Sequence, residues 1–132
     1  MKTGRKFYIY FLFALAETLA LVWFSLLQSA GFVQTGGFLR LGDLEHFLAY
    51  AVYGFLWQRV FLNRHIATKG SRGPALIFGI FLPLAIGSLV GAFCETMQFF
   101  VPTRVADPMD WAVDTLGSFC GAAAASKLRN LF

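Results

Sequence analysis

Residues 95–121 gather the chain's chemistry: Glu95-Thr-Met-Gln98, Pro102-Thr-Arg104, Asp107-Pro-Met-Asp110, Asp114-Thr-Leu-Gly117 and Gly121. Four of the seven acidic residues fall here. Asp107, Asp110, Asp114, Gly117 and Gly121 step by three and four, so on a helix they share one face. Gly87, Gly91, Glu95 and Gln98 do the same on the preceding segment. Two helices joined by a short loop around Arg104 bring those polar faces together. Upstream, His46 and Tyr50 add an imidazole and a phenol one turn apart. A carboxylic acid near a histidine is raw material for acid–base catalysis, so His46 and Glu95 are the candidate base and acid. Tyr50, Gln98, Arg104, Asp110 and Asp114 are candidates for holding a ligand.

Each group also has a simpler use. Asp43, Asp107 and Asp110 suit helix caps, and Arg104 pairing with Asp107 or Asp110 competes with a phosphate role. His46 and Tyr50 are equally suited to hydrogen-bonding helix 3. His46, Glu95, Asp110 and Asp114 have the N and O donors a divalent ion takes, but a hydrogen-bonded cluster is the simpler account. The expectation is therefore no metal and no cofactor. The sequence places no nucleophilic Ser or Cys beside the histidine, and it holds no phosphate-binding glycine loop.

The frame for these residues follows from composition. Of 132 residues, 58% are hydrophobic and 14% charged, with mean hydropathy +0.64. A soluble domain carries about one quarter charged residues. The length accommodates about four membrane spans of ~20 residues each, so 1–132 reads as one transmembrane domain. The net charge of +4 lies in tails and loops between apolar runs, which argues against a nucleic-acid partner. Cys94 and Cys120 sit inside apolar segments and read as small hydrophobes, not as a disulfide.

The expected fold is an all-α membrane protein, a four-transmembrane-helix bundle with helices at about 7–28, 43–62, 74–100 and 108–127. The first apolar run is too long for a signal-peptide core. Glu17 lies near its middle, where a charge must face protein or be protonated; it is either hydrogen-bonding glue beside Thr18 or part of a proton relay. A glycine-rich loop at 29–42 follows. Helix 2 opens with Asp43 as its cap, and Arg59 at its far end can snorkel to the interface. Pro74 opens helix 3, and Pro83 should kink it. Asp107-Pro108-Met109-Asp110 is a strong helix start. Gly87-x-x-x-Gly91 and Gly117-x-x-x-Gly121 allow close neighbours.

Orientation follows from the basic residues. Lys2, Arg5, Lys6, Arg59, Arg64, Lys69, Arg72, Lys127 and Arg129 fall on one side, against Arg40 and Arg104 on the other. The positive-inside rule puts both termini in the cytoplasm. All the acids except Glu17 then lie toward the outer face, and so does the polar pocket.

His46-Phe47-x-x-Tyr50, Glu95-x-x-Gln98, Pro102-x-Arg104, Asp110, Asp114-x-x-Gly117 and Gly121 resemble the signature of the VanZ-like family. These are small bacterial membrane proteins, named for one associated with teicoplanin resistance. The resemblance covers about residues 43–121. Two positions depart from the family pattern: Asp43 stands where Lys is frequent, and Asp114 where Asn is frequent. The first loses a cation and the second adds an anion. The resemblance implies the fold, a bacterial cytoplasmic-membrane location and a cell-envelope context, but no reaction. It favours a protein that binds a lipid or lipid-linked envelope intermediate and influences glycopeptide susceptibility. An intramembrane enzyme using His46 and Glu95 on such a lipid comes second. A proton-coupled transporter subunit using Glu17 and Glu95 comes third, and its few helices would require a homo-oligomer.

Overall fold

The structure is a computed structural model that describes residues 2–27, 41–67, 74–102 and 106–128. Its described residues form four α-helices and no strand: α1 (Lys2–Leu26), α2 (Leu41–Ala67), α3 (Pro74–Gln98) and α4 (Pro108–Lys127). Most of the glycine-rich loop and Arg104 lie outside the described residues.

Several expected boundaries shift. α1 starts earlier, because nothing in the basic N-terminal stretch breaks a helix. α2 begins at Leu41, so Asp43 occupies its first turn rather than its cap. An acid there still faces the positive end of the helix dipole. α2 also runs on to Ala67, beyond the apolar stretch that marked it in the sequence. α4 starts as its sequence predicts: Asp107 is the N-cap, accepting from the Met109 amide at 2.9 Å, with Pro108 at the first helical position. α3 stays helical through Pro83, which is fully buried.

Side-chain pairs fix the directions. His46 meets Asp114 and Gln58 meets Ser126, each pair 68 residues apart, so α2 and α4 run parallel. Gly91 faces Asp114 while Gly87 faces Ser118, so α3 runs antiparallel to both. α1 is antiparallel to α2, since Trp57 donates to Thr18 Oγ1 at 3.3 Å while Arg59 sits over the Tyr10 ring at 5.1 Å.

Glycines set how closely the helices approach. A Cβ at Gly54 would strike the Ser118 backbone, and one at Gly121 the Ala51 backbone. A Cβ at Gly117 would lie 2.5 Å from the Phe47 carbonyl oxygen. α2 and α4 are therefore in backbone contact, the most extensive contact between any two of the described helices. Small residues at such crossings let helices gain dispersion contacts where lipid offers no hydrophobic drive.

The end where α1 begins and α4 stops is held by a second polar group. Gln58 Nε2 donates to Ser126 Oγ at 2.8 Å, Arg59 Nη1 donates to the Leu128 carbonyl at 3.4 Å, and Asn63 Nδ2 donates to the Arg59 carbonyl at 2.7 Å. Arg59 is only 3% exposed. It does not snorkel, because the Tyr10 ring and the carbonyl end of α4 supply partners inside the protein. A cation there also complements the negative end of the α4 dipole.

α1 is the outlying helix. Its Tyr8, Leu12, Phe13, Leu19, Trp23 and Phe24 are exposed. Two helical segments, Gly4–Leu26 and Gly79–Gln98, are long and apolar enough to cross a membrane.

Candidate functional site

The site forms where the first turns of α2 and α4 meet the last turns of α3. On α2, His46, Tyr50 and Gly54 follow at four-residue spacing and face α4. Tyr53, one residue off that row, lies instead against Gly87 of α3. On α4, Asp114 stands between the two neighbours, fully buried. Gly91 of α3 makes room for it: a Cβ there would fall 3.0 Å from Asp114 Oδ2.

His46 Nδ1 lies 2.8 Å from Asp114 Oδ1. A carboxylate at Nδ1 holds the proton on that nitrogen and leaves Nε2 as the acceptor in the neutral ring. The partner of His46 is thus α4, not the helix 3 contact that the sequence suggested. His46 keeps 26% of its side chain exposed while Asp114 keeps 1%, so the imidazole is the accessible edge of the pair.

Glu95 is 8% exposed and holds two hydrogen bonds. Gln98 Nε2, one turn on, donates to Oε1 at 2.9 Å. The Asp107 backbone amide donates to Oε2 at 2.9 Å. That second bond crosses the connection carrying Arg104 and ties the N-cap of α4 to α3. His46, Glu95 and Asp114 each offer a ligand atom, and these atoms lie within 4.8 Å of one another.

Of the other candidates, Gln98 is part of the cluster through Glu95. Tyr50 is 2% exposed. Its hydroxyl stands beside Asp114 and Cys94 without hydrogen-bond geometry. Asp110 faces His46 electrostatically but stays outside the three-residue group. Its side chain does not cap α4; Asp107 does that. Arg104 lies outside the described residues.

Several residues escaped the sequence reading. Cys94, read as a small hydrophobe, adjoins the Tyr50 hydroxyl. Both cysteines are free thiols. Trp111 Nε1 donates to the Ser88 carbonyl at 3.0 Å, and Thr115 Oγ1 donates to Ser88 Oγ at 3.2 Å, stitching α3 to α4 beside the site. Ser118, fully buried against Gly54 and Gly87, is the small residue on which all three helices close. Its four-residue offset from Asp114 was the available signal.

Helices in glycine-mediated contact around a His–Asp–Glu cluster, with large apolar side chains outward and two segments long and apolar enough to cross a membrane, suggest a helical membrane protein. The chain belongs to the VanZ/LLP1 family, which it matches over residues 4–129, nearly its whole length. No curated protein and no solved structure matches it.

Proposed function

We propose that the chain spans the bacterial cytoplasmic membrane four times with both termini in the cytoplasm. We further propose that the cluster of His46, Glu95 and Asp114 opens to the outer face, binds a lipid or lipid-linked cell-envelope component, and thereby influences glycopeptide susceptibility. The observation that carries this reading is the position of the cluster. Buried polar groups converge at the end where α2 and α4 present their positive dipole ends, remote from the basic N-terminal and C-terminal residues. Helix N-termini and an imidazole suit an anionic headgroup. Exposed Leu44 and Leu48 on α2, Leu89 and Phe93 on α3 and Phe119 on α4 supply apolar surface for acyl chains beside it.

The topology is tested by reporter fusions placed after Gly37 and after Lys69. The two are expected to report opposite sides, and one shared side would sink the four-span arrangement. Ligand binding is tested by native mass spectrometry of protein purified in mild detergent. The wild type is expected to retain a lipid adduct that a His46→Ala/Asp114→Ala double variant releases at lower activation energy. Identical release from both would remove the pocket as the binding site.

The His46–Asp114 pair favours a second reading. A carboxylate-oriented imidazole within reach of a buried glutamate is also the arrangement of an acid–base enzyme, with His46 as base and Glu95 as acid. Conversion of the bound lipid on incubation, rather than its simple retention, distinguishes the two.

A further inference from the structure

Three features of the cluster exceed what hydrogen bonding alone requires. First, the donor set is mixed. An imidazole and two carboxylates come from three different helices, with ligand atoms within 4.8 Å of one another. Around a tetrahedral ion with bonds of about 2.0–2.2 Å, ligand atoms sit about 3.3–3.6 Å apart, a spacing that side-chain torsions can reach. Second, Asp114 is fully buried, yet its Oδ2 has no hydrogen-bond partner. Buried carboxylate oxygens are ordinarily satisfied. Third, the Tyr50 hydroxyl, on a residue 2% exposed, lies against Asp114 without hydrogen-bond geometry. Oδ2 and this hydroxyl thus hold unused bonding capacity next to the cluster.

Charge points the same way. Glu95, Asp110 and Asp114 crowd together, with His46 as the basic group there among the described residues. Asp43 adds a fourth carboxylate near Asp110. Buried charges of one sign are tolerated when they are paired or coordinate a metal. The sequence alone favoured a closed hydrogen-bonded cluster; the orphaned Oδ2 is the observation it could not supply.

We propose that His46, Glu95 and Asp114 bind one divalent transition-metal ion, zinc or manganese. One imidazole and two carboxylates leave at least one coordination position for an outside ligand, as in sites where zinc keeps three protein ligands. His46, the exposed member, lies at the entry. Gln98 and the Asp107 amide hold the Glu95 carboxylate in place, the supporting role that partners of metal-ligating carboxylates take. The ion would give the pocket a cation and a place for an anionic oxygen. The inference does not depend on the lipid reading: metal content and lipid retention are separate measurements that can succeed or fail independently.

The test uses the full chain, purified in detergent with a tag free of histidine, stripped with EDTA and desalted. It is reloaded with Zn²⁺ or Mn²⁺ alone, desalted again and analysed by elemental mass spectrometry. One equivalent of one of these ions per chain is expected, together with a higher thermal midpoint in its presence. Asp114→Asn and His46→Ala are expected to weaken binding at least tenfold, whereas Gly42→Ala, which meets nothing within 4 Å, should keep it. Gel filtration and far-UV circular dichroism establish that each variant is folded. Should Asp114→Asn not fold, Glu95→Gln serves in its place, since Gln98 can accommodate the new amide. Wild type without a stoichiometric ion, or folded Asp114→Asn and Glu95→Gln with full stoichiometry at unchanged affinity, overturns the proposal.

Discussion

Gly121→Val should all but abolish folded protein. The first atom of any side chain at this position meets the Ala51 carbonyl oxygen, and the Ala51 carbonyl carbon and Phe55 amide nitrogen follow at 2.7 and 2.8 Å. All three are backbone atoms, so no rotamer change relieves the clash and α2 must move off α4. Overpacking a core costs about 1–3 kcal/mol when side chains can adjust; here, where they cannot, about 3 kcal/mol or more is expected. Moving α2 also pulls His46 from Asp114 and Gln58 from Ser126. Gly54→Val should act alike, because the Ser118 backbone stands in its way. Gly42→Ala is the control and should accumulate normally. Membrane abundance and the thermal midpoint of the detergent-solubilised protein are the readouts. A Gly121→Val protein with the wild-type midpoint would mean that α2 and α4 do not touch in this way.

Glu95→Gln should have the opposite profile: protein retained, function lost. Glu95 accepts from two donors, one a fixed backbone amide and the other the Gln98 side chain. A glutamine can keep its oxygen on the Asp107 amide and turn its own amide group toward Gln98, whose side chain can flip to present its oxygen. The latch survives while the carboxyl chemistry disappears. Arg104→Lys should lose function as well if the planar guanidinium grips carboxylate or phosphate. Glu17→Gln should be nearly silent: Glu17 is half-buried, and the hydrogen bonds of its turn belong to Thr18, which donates to the Ala14 carbonyl and accepts from Trp57. Each variant is scored at matched membrane abundance by complementing the glycopeptide or detergent sensitivity of a deletion strain. Full complementation by both Glu95→Gln and Arg104→Lys would reduce the pocket to structural packing. A defect from Glu17→Gln alone would favour a proton path instead.

Much of the fold was legible because its signals are local. Apolar runs, the Asp107-Pro108 start and the four-residue steps of Gly117, Gly121, Asp110 and Asp114 each report one helix at a time. The facing of α3 and α4 followed from polar residues that match across a short connection. What stayed hidden depends on helices distant in sequence. Nothing local to His46 announces that its partner is Asp114, since that depends on α2 and α4 being parallel and in backbone contact. Arg59 looked like a residue at the lipid interface because its partners, Tyr10 and the Leu128 carbonyl, lie on the first and last helices. Asp43 looked like a cap because helix starts are ambiguous by a residue or two. Types and spacing put a hydrogen-bonded cluster ahead of a metal, because they do not show that one oxygen of Asp114 lacks a hydrogen-bond partner.

The bond from the Asp107 amide to Glu95 has a thermodynamic consequence. The residue that opens α4 is fastened to a carboxylate inside the pocket, so the start of α4 and the state of that carboxylate are two readings of one equilibrium. Whatever strengthens the hold of Glu95 on this amide tightens the start of α4, and whatever draws the carboxylate away loosens it. Coupling of this kind is reciprocal: a ligand that shifted Glu95 would change the stability of the α4 start, and a change at that start would alter the ligand's affinity by the same factor.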